Sequence, residues 1–90
     1  MTEIRVAKIQ NQLGLHARAA AQFVQTANKF QADVTVSKDG EDVNGKSVLS
    51  LMMLAAPLGS EITIKAEGDD AIEAINCLLE LIENKFGEPK

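Results

Sequence analysis

The apolar residues of this chain change repeatedly between two spacings, and that change is the strongest constraint on its fold. Apolar residues at every second position are typical of a half-buried strand, whereas a spacing of three and four residues is typical of one helix face. Strand spacing occurs at roughly residues 3 to 9, at 32 to 36, through Val43 and at 62 to 66. Helix spacing follows His16, Ser47 and Asp70. The predicted order is therefore β-α-β-β-α-β-α.

The first two predicted helices differ in how their apolar residues are distributed. The first begins at Ala17, and its apolar face consists of Ala20, Phe23, Val24, Ala27 and Phe30. The second has Ser47 as its N-cap, is apolar nearly all round from Val48 to Ala55, and is stopped by Pro57 and Gly59. An all-apolar helix is either buried on both sides or exposes an apolar patch, and we expect the patch.

The last predicted helix starts with Asp70 and Glu73 in the arrangement of a capping box. Its inner stripe is expected to contain Ile72, Ile75, Leu79 and Ile82, with Leu78 beside them. Gly87 ends this helix, and residues 88–90 are predicted to fray. Earlier in the chain, Lys38-Asp39-Gly40-Glu41 predicts a hairpin turn between two strands, because Asp-Gly tolerates positive φ.

These elements predict an α+β fold in a single domain spanning residues 1–90. Three helices are expected to cover one face of a four-stranded antiparallel sheet, which gives two layers. Hydrophobic residues make up 46% of the chain, enough for a folded core.

Charge and composition exclude several functional classes. The net charge of -4 and the presence of only 3% aromatic residues argue against a nucleic-acid binder. The single cysteine, Cys77, cannot form an internal disulfide and is expected to be a buried or half-buried small hydrophobe. We predict no bound metal and no cofactor, because no cluster of ligand residues is present. The N-terminal residues do not resemble a signal peptide, and no segment is long enough to span a membrane, so a cytoplasmic location is expected.

His16 and Arg18 are the candidate chemical groups. His16 is the only histidine, and it lies in Gly14-Leu15-His16-Ala17-Arg18 at the start of a predicted helix. A helix N-terminus has free N–H groups and a partial positive charge, so it suits phosphate. An imidazole nitrogen there can accept a phosphoryl group as a nucleophile, and an arginine fork matches phosphate oxygens. The alternatives are a surface histidine without chemistry and a solvated arginine.

A second group of candidates lies at the start of the second helix. Ser47 is expected to cap that helix, and phosphorylation there would add charge without unfolding it. Val48, Leu49 and Met52 are predicted to form an exposed apolar patch that docks partner proteins.

The motifs together resemble a known family. Leu15-His16-Ala17-Arg18, Phe23-Val24, Gly45-Lys46-Ser47-Val48-Leu49-Ser50-Leu51-Met52, Gly59 and Glu67-Gly68-Asp69-Asp70-Ala71 are similar to the HPr phosphocarriers of the bacterial phosphoenolpyruvate:sugar phosphotransferase system. The resemblance implies an open-faced β-sandwich. It implies that His16 is phosphorylated on Nδ1 and that Arg18 assists the transfer. It also implies that Ser47 is the serine modified in some bacteria by a dedicated kinase/phosphorylase.

By the same resemblance, the protein takes phosphate from Enzyme I and gives it to IIA domains of sugar permeases. It would do so as a monomeric carrier and not as an enzyme. One departure is Ala19, which stands where the family usually has proline and restores a possible N–H donor. This departure leaves open a nitrogen-related paralogue, and a pure docking regulator switched at Ser47 is a further alternative.

Overall fold

The computed structural model describes residues 1–90, and its four strands form one antiparallel sheet in the order β1-β4-β2-β3. The strands are β1 (Thr2–Lys8), β2 (Asp33–Lys38), β3 (Glu41–Asn44) and β4 (Glu61–Glu67). The helices are α1 (Ala17–Ala27), α2 (Val48–Leu54) and α3 (Ala71–Glu83), followed by a short turn at Lys85–Gly87. The predicted order of elements and the antiparallel sheet are confirmed.

The register of β4, one of the two inner strands, determines which sheet face is buried. Ile64 of β4 lies opposite Arg5 of β1 and Val36 of β2. Ile64 and Val36 are completely buried, whereas Thr63, the residue before Ile64 in β4, is only half-buried. The helices pack on the Ile64 face, with α3 against β1 and β4 and α1 against the other two helices. The other face is open, so the predicted two-layer arrangement is confirmed.

The buried stripe of α3 is rotated from the predicted one. The buried residues are Ala71, Ala74, Ile75, Leu78 and Ile82. Ile72 is 39% exposed, so the prediction was wrong for this position, whereas Leu79 is half-buried and packs against the core. Ala71 and Ala74 line the contact because small side chains allow a helix to lie close to a sheet. A spacing rule that counts only large apolar residues misses such positions.

Three smaller predictions also need correction. Asp70 is the N-cap residue of α3, as predicted, but its side chain makes no capping hydrogen bond; its carboxylate instead accepts hydrogen bonds from the backbone N–H groups of Gln31 (2.8 Å) and Ala32 (2.9 Å). Helix α1 ends at Ala27, so Phe30 lies beyond it and packs against the core. Cys77 is exposed on α3.

None of the helices has the length and apolar character needed to cross a membrane.

Candidate functional site

His16 lies where the loop after β1 enters α1. It is the N-cap residue, with extended backbone angles, and its side chain makes no capping hydrogen bond. Its carbonyl accepts the first helical hydrogen bond, from the Ala20 N–H at 2.8 Å. The N–H groups of Ala17 and Arg18 have no partner and both residues are exposed. The predicted free helix N-terminus beside the imidazole is therefore confirmed, and its free N–H groups suit an anion.

The loop that carries His16 is held by the segment after α2. The Leu15 N–H donates to the Ala56 carbonyl at 2.9 Å. Gly14 has φ +71, and a Cβ there would lie 2.7 Å from the Ala56 oxygen and 2.9 Å from Pro57 Cα. The glycine is thus required by a close approach of two backbones as well as by its conformation.

The imidazole of His16 contacts a carboxylate from the other end of the chain. His16 Nε2 is hydrogen-bonded to Glu88 Oε2, and His16 Nδ1 has no hydrogen-bond partner. The second carboxylate oxygen, Oε1, accepts a hydrogen bond from Asn11 Nδ2 at 3.0 Å. Asn11 is completely buried and also donates to the Gly14 carbonyl at 2.7 Å. One buried amide therefore ties both the histidine loop and the C-terminal segment.

Sequence reasoning missed Glu88, because residues 88–90 were predicted to fray and that prediction was wrong. Lys85, Phe86 and Gly87 have φ values of +57, +55 and +75, so the chain makes a left-handed turn after α3. This turn buries Phe86 in the core and directs Glu88 towards His16. Left-handed backbone is unfavourable for residues with a Cβ, so tertiary contacts must stabilise it. In the sequence, only the apolar residue just beyond the helix, Phe86, could have indicated that this segment packs against the core.

The C-terminal segment and the start of α1 enclose an open cleft of about 620 Å³. It is lined by Gln12, Leu13, His16, Ala17, Arg18, Glu88, Pro89 and Lys90. Arg18 is exposed and forms no ion pair, so its guanidinium is available to an anion in this cleft. The cationic side chains of Arg18 and Lys90 and the free N–H groups make the cleft suited to phosphate.

Glu88 is the one acidic side chain that lines the cleft. Desolvation raises the pKa of its carboxyl, but hydrogen bonds from His16 and Asn11 and the charges of His16 and Arg18 outweigh this effect. The pKa of Glu88 therefore lies below its ordinary value. Glu88 is thus a carboxylate at neutral pH and can only accept hydrogen bonds.

Ser47 occupies the predicted N-cap position of α2. Its Oγ accepts a hydrogen bond from the Ser50 N–H at 3.2 Å, and the residue is half-buried. The preceding Lys46 extends its ammonium to the Phe30 carbonyl at 2.9 Å. The capping prediction is confirmed. Modification of Ser47 stays a prediction.

The apolar surface of α2 is exposed, but its membership differs from the prediction. Leu49 (68%), Met52 (42%) and Met53 (72%) are exposed. Val48 is half-buried and packs against the core, so its inclusion was wrong. Met53 takes its place as the third exposed apolar residue of the helix. We call Leu49, Met52 and Met53 the α2 patch.

Comparison with known proteins shows to which family the chain belongs. The family described as the PTS HPr component phosphorylation site matches residues 4–84. The chain belongs to the HPr family. It is 48% identical over 80 residues to the phosphocarrier protein HPr of Xylella fastidiosa strain Temecula1, covering 89% of this chain and 90% of the relative. It is 44% identical over 78 residues to the HPr-like protein Crh of Bacillus subtilis strain 168, covering 87% and 92%.

A solved structure gives the same result for the fold. The crystal structure of HPr-C-His from Thermoanaerobacter tengcongensis superimposes with a TM-score of 0.94 at 48% identity, covering 98% of this chain and 99% of that one. The protein is thus similar to phosphocarriers of the phosphotransferase system over nearly its full length. No group of three or more histidine, cysteine, aspartate or glutamate side chains in it could hold a metal ion.

Ala19 stands where the resemblance to the family leads us to expect proline. Ala19 is completely buried and belongs to the core cluster. Its N–H has no hydrogen-bond partner. The donor that alanine restores is therefore unpaired and inaccessible to solvent.

Proposed function

We propose that this protein accepts a phosphoryl group from phospho-Enzyme I on His16 and passes it to IIA domains of the sugar phosphotransferase system. The observation that carries the proposal is the free Nδ1 of the only imidazole, located at a helix N-terminus with unpaired N–H groups. A nucleophile needs an accessible lone pair, and the incoming phosphate needs donors around it. The unpartnered Nδ1 of His16 and the unpaired N–H groups of Ala17 and Arg18 support both requirements.

The proposed transfer step is a simple displacement. The Nδ1 lone pair attacks phosphorus, and the bond from phosphorus to the donor group breaks with its electron pair leaving on the donor. The N–H groups of Ala17 and Arg18 and the Arg18 guanidinium bind the phosphoryl oxygens as the group moves. The reverse displacement delivers the group to an acceptor. The protein is then a stoichiometric carrier acting as a monomer, and not an enzyme with turnover of its own.

Phosphorylation of Ser47 by a serine kinase/phosphorylase is part of the proposal. Ser47 lies at the start of the helix that carries the α2 patch, so added charge there would alter docking. The same placement favours the second candidate function, a docking regulator, including one of a nitrogen-related branch. A regulator that only docks has no need of a free imidazole Nδ1, which is why we prefer the carrier.

The test is incubation with phosphoenolpyruvate and Enzyme I, followed by mapping of acid-labile phosphate. Wild-type protein should be labelled on His16, and His16→Ala should lose the label while keeping its circular-dichroism spectrum. Ser47→Ala is the matched control and should be labelled like wild type. Full labelling of His16→Ala would exclude His16 as the acceptor. An unlabelled wild type that still binds Enzyme I would favour the docking regulator.

A further inference from the structure

The contact between His16 and Glu88 determines which imidazole nitrogen carries a proton. An ionised carboxylate accepts hydrogen bonds and cannot donate them. Glu88 Oε2 is bonded to His16 Nε2, so Nε2 must be the protonated nitrogen. In a neutral imidazole only one nitrogen is protonated, and the other keeps its lone pair in the ring plane. Nδ1, which has no partner in the structure, is therefore the nitrogen left with a lone pair.

Glu88 is held in place from three directions. Its other carboxylate oxygen accepts a hydrogen bond from the buried Asn11 amide at 3.0 Å. Two residues earlier, Phe86 is only 2% exposed and anchors the segment in the core. Two residues later, the main-chain oxygen of Lys90 accepts a hydrogen bond from the Gln12 N–H at 3.0 Å. The Glu88 side chain is 11% exposed, unlike the mobile carboxylates of most surface ion pairs.

We propose that Glu88 is the positioning residue of His16: its carboxylate holds the proton on Nε2 and thereby presents Nδ1 as the nucleophile. The proposal rests on the proposed function, since it concerns the same imidazole. A carboxylate that orients a histidine in this way acts on the chemistry without touching the transferred group.

The contact also matters for the charge that transfer creates. When Nδ1 of the neutral ring forms its bond to phosphorus, the ring becomes a phosphorylated imidazolium with its proton still on Nε2. The Glu88 carboxylate faces that positive charge through the Nε2–H. When the group moves on, the electrons of the N–P bond return to the ring, which leaves as neutral imidazole. A ring without the Nε2 proton would have to leave as an anion, so by retaining that proton Glu88 keeps the leaving group neutral.

A merely structural role for Glu88 predicts a different outcome. If Glu88 served only to dock the C-terminal segment, its loss would lower stability and leave the tautomer unchanged. The two roles are separated by a spectroscopic measurement on the unphosphorylated protein. The 15N chemical shifts of the two His16 ring nitrogens report the tautomer directly, and with a single histidine in the chain the assignment is unambiguous.

The experiment compares wild type, Glu88→Ala, Glu88→Gln and the control Glu80→Ala, which removes an exposed carboxylate of α3 and changes the net charge equally. In the wild type the Nε2–H tautomer should dominate at a pH where the ring is neutral. In Glu88→Ala both tautomers should be populated, and rapid-quench transfer from phospho-Enzyme I should slow by about tenfold to a hundredfold. Glu88→Gln keeps an acceptor oxygen without the charge, so it should retain the tautomer and transfer at an intermediate rate. Glu80→Ala should match wild type in both readouts.

An unchanged tautomer in Glu88→Ala would overturn the proposal, whatever happens to the rate. So would an equal change in Glu80→Ala. Failure of the proposed function is separately visible, because wild-type protein would then take no label from Enzyme I while its 15N shifts still showed whether Glu88 controls the tautomer.

Discussion

The N–H of Leu15 donates to the carbonyl of Ala56 at 2.9 Å, which ties the residue before His16 to the segment after α2. The two backbones approach so closely that Gly14 has no room for a Cβ. Gly14→Ala should therefore lower the free energy of unfolding by about 2 to 4 kcal/mol, from left-handed backbone and overpacking together. Urea denaturation measures this loss.

Gly59→Ala is the matched control, because Gly59 also has positive φ but its Cβ would meet nothing within 4 Å. It should lose only the backbone contribution, about 1 to 2 kcal/mol. Equal losses in the two variants would show that the close approach at Ala56 contributes nothing.

Arg18 lines the cleft beside His16 without an ion-pair partner. Arg18→Ala should slow phosphoryl transfer by about a hundredfold, because a charged donor to the moving group is lost. Arg18→Lys should recover only part of the rate, since an ammonium lacks the planar fork. Rapid-quench rates and calorimetric dissociation constants for Enzyme I should show that the rate suffers more than docking. Wild-type rates in both variants would leave Arg18 as a solvated helix residue.

Ser47 allows capping and docking to be separated by two substitutions. Ser47→Asp keeps an N-cap acceptor and adds a charge that suits the helix dipole, so the melting temperature should hold or rise slightly. Its charge near the α2 patch should weaken binding of Enzyme I. Ser47→Ala should do the reverse, losing about 1 kcal/mol of stability with little change in docking. An unchanged dissociation constant for Ser47→Asp would remove Ser47 from the docking surface.

The α2 patch is predicted to be a docking surface for Enzyme I. Leu49→Gln removes apolar contact area while keeping a good helix former, and it should weaken binding by roughly tenfold, or about 1.4 kcal/mol. Val6→Thr is the control, because Val6 is also exposed (63%) and lies on β1 rather than on α2. Its dissociation constant should equal that of wild type. Equal weakening in both variants would mean that general surface hydrophobicity, and not the patch, drives docking.

Asp70 should make stability depend on pH. Backbone hydrogen bonds from Gln31 and Ala32, the former the larger effect, hold the pKa of its carboxyl below the ordinary value of 3.8 despite partial desolvation. A carboxyl with a lowered folded-state pKa stabilises the protein above 3.8, and this contribution is lost as the pH falls through the lower folded-state pKa. Asp70→Asn should therefore be less stable than wild type at neutral pH, and the difference should shrink in acid.

The measurement is urea denaturation of both proteins over a pH series. Asp69→Asn serves as the control, since Asp69 holds no backbone N–H group and is exposed. Its difference from wild type should stay small at every pH. A constant deficit for Asp70→Asn across the series would contradict a role for the ionised carboxylate.

Local spacing was enough to predict the order of the elements, the N-cap at Ser47 and the place of His16 at a helix start. These features depend on residues a few positions apart, so periodicity and capping chemistry report them directly. The hairpin turn belongs to this group as well, with Asp39 and Gly40 both at positive φ. Resemblance to a family added roles for His16, Arg18 and Ser47 that spacing alone does not contain.

The features that spacing could not predict all depend on contacts between distant parts of the chain. The Asp70 carboxylate accepts hydrogen bonds from backbone N–H groups 38 and 39 residues earlier in the chain instead of from its own helix. Glu88 contacts His16, which lies 72 residues before it. The left-handed turn at Lys85–Gly87 is locally unfavourable, and it exists because burial of Phe86 and the hydrogen bonds to Asn11 and Gln12 stabilise it. Sequence alone thus determined that His16 lies at the start of a helix, whereas tertiary packing decided which carboxylate lies beside it.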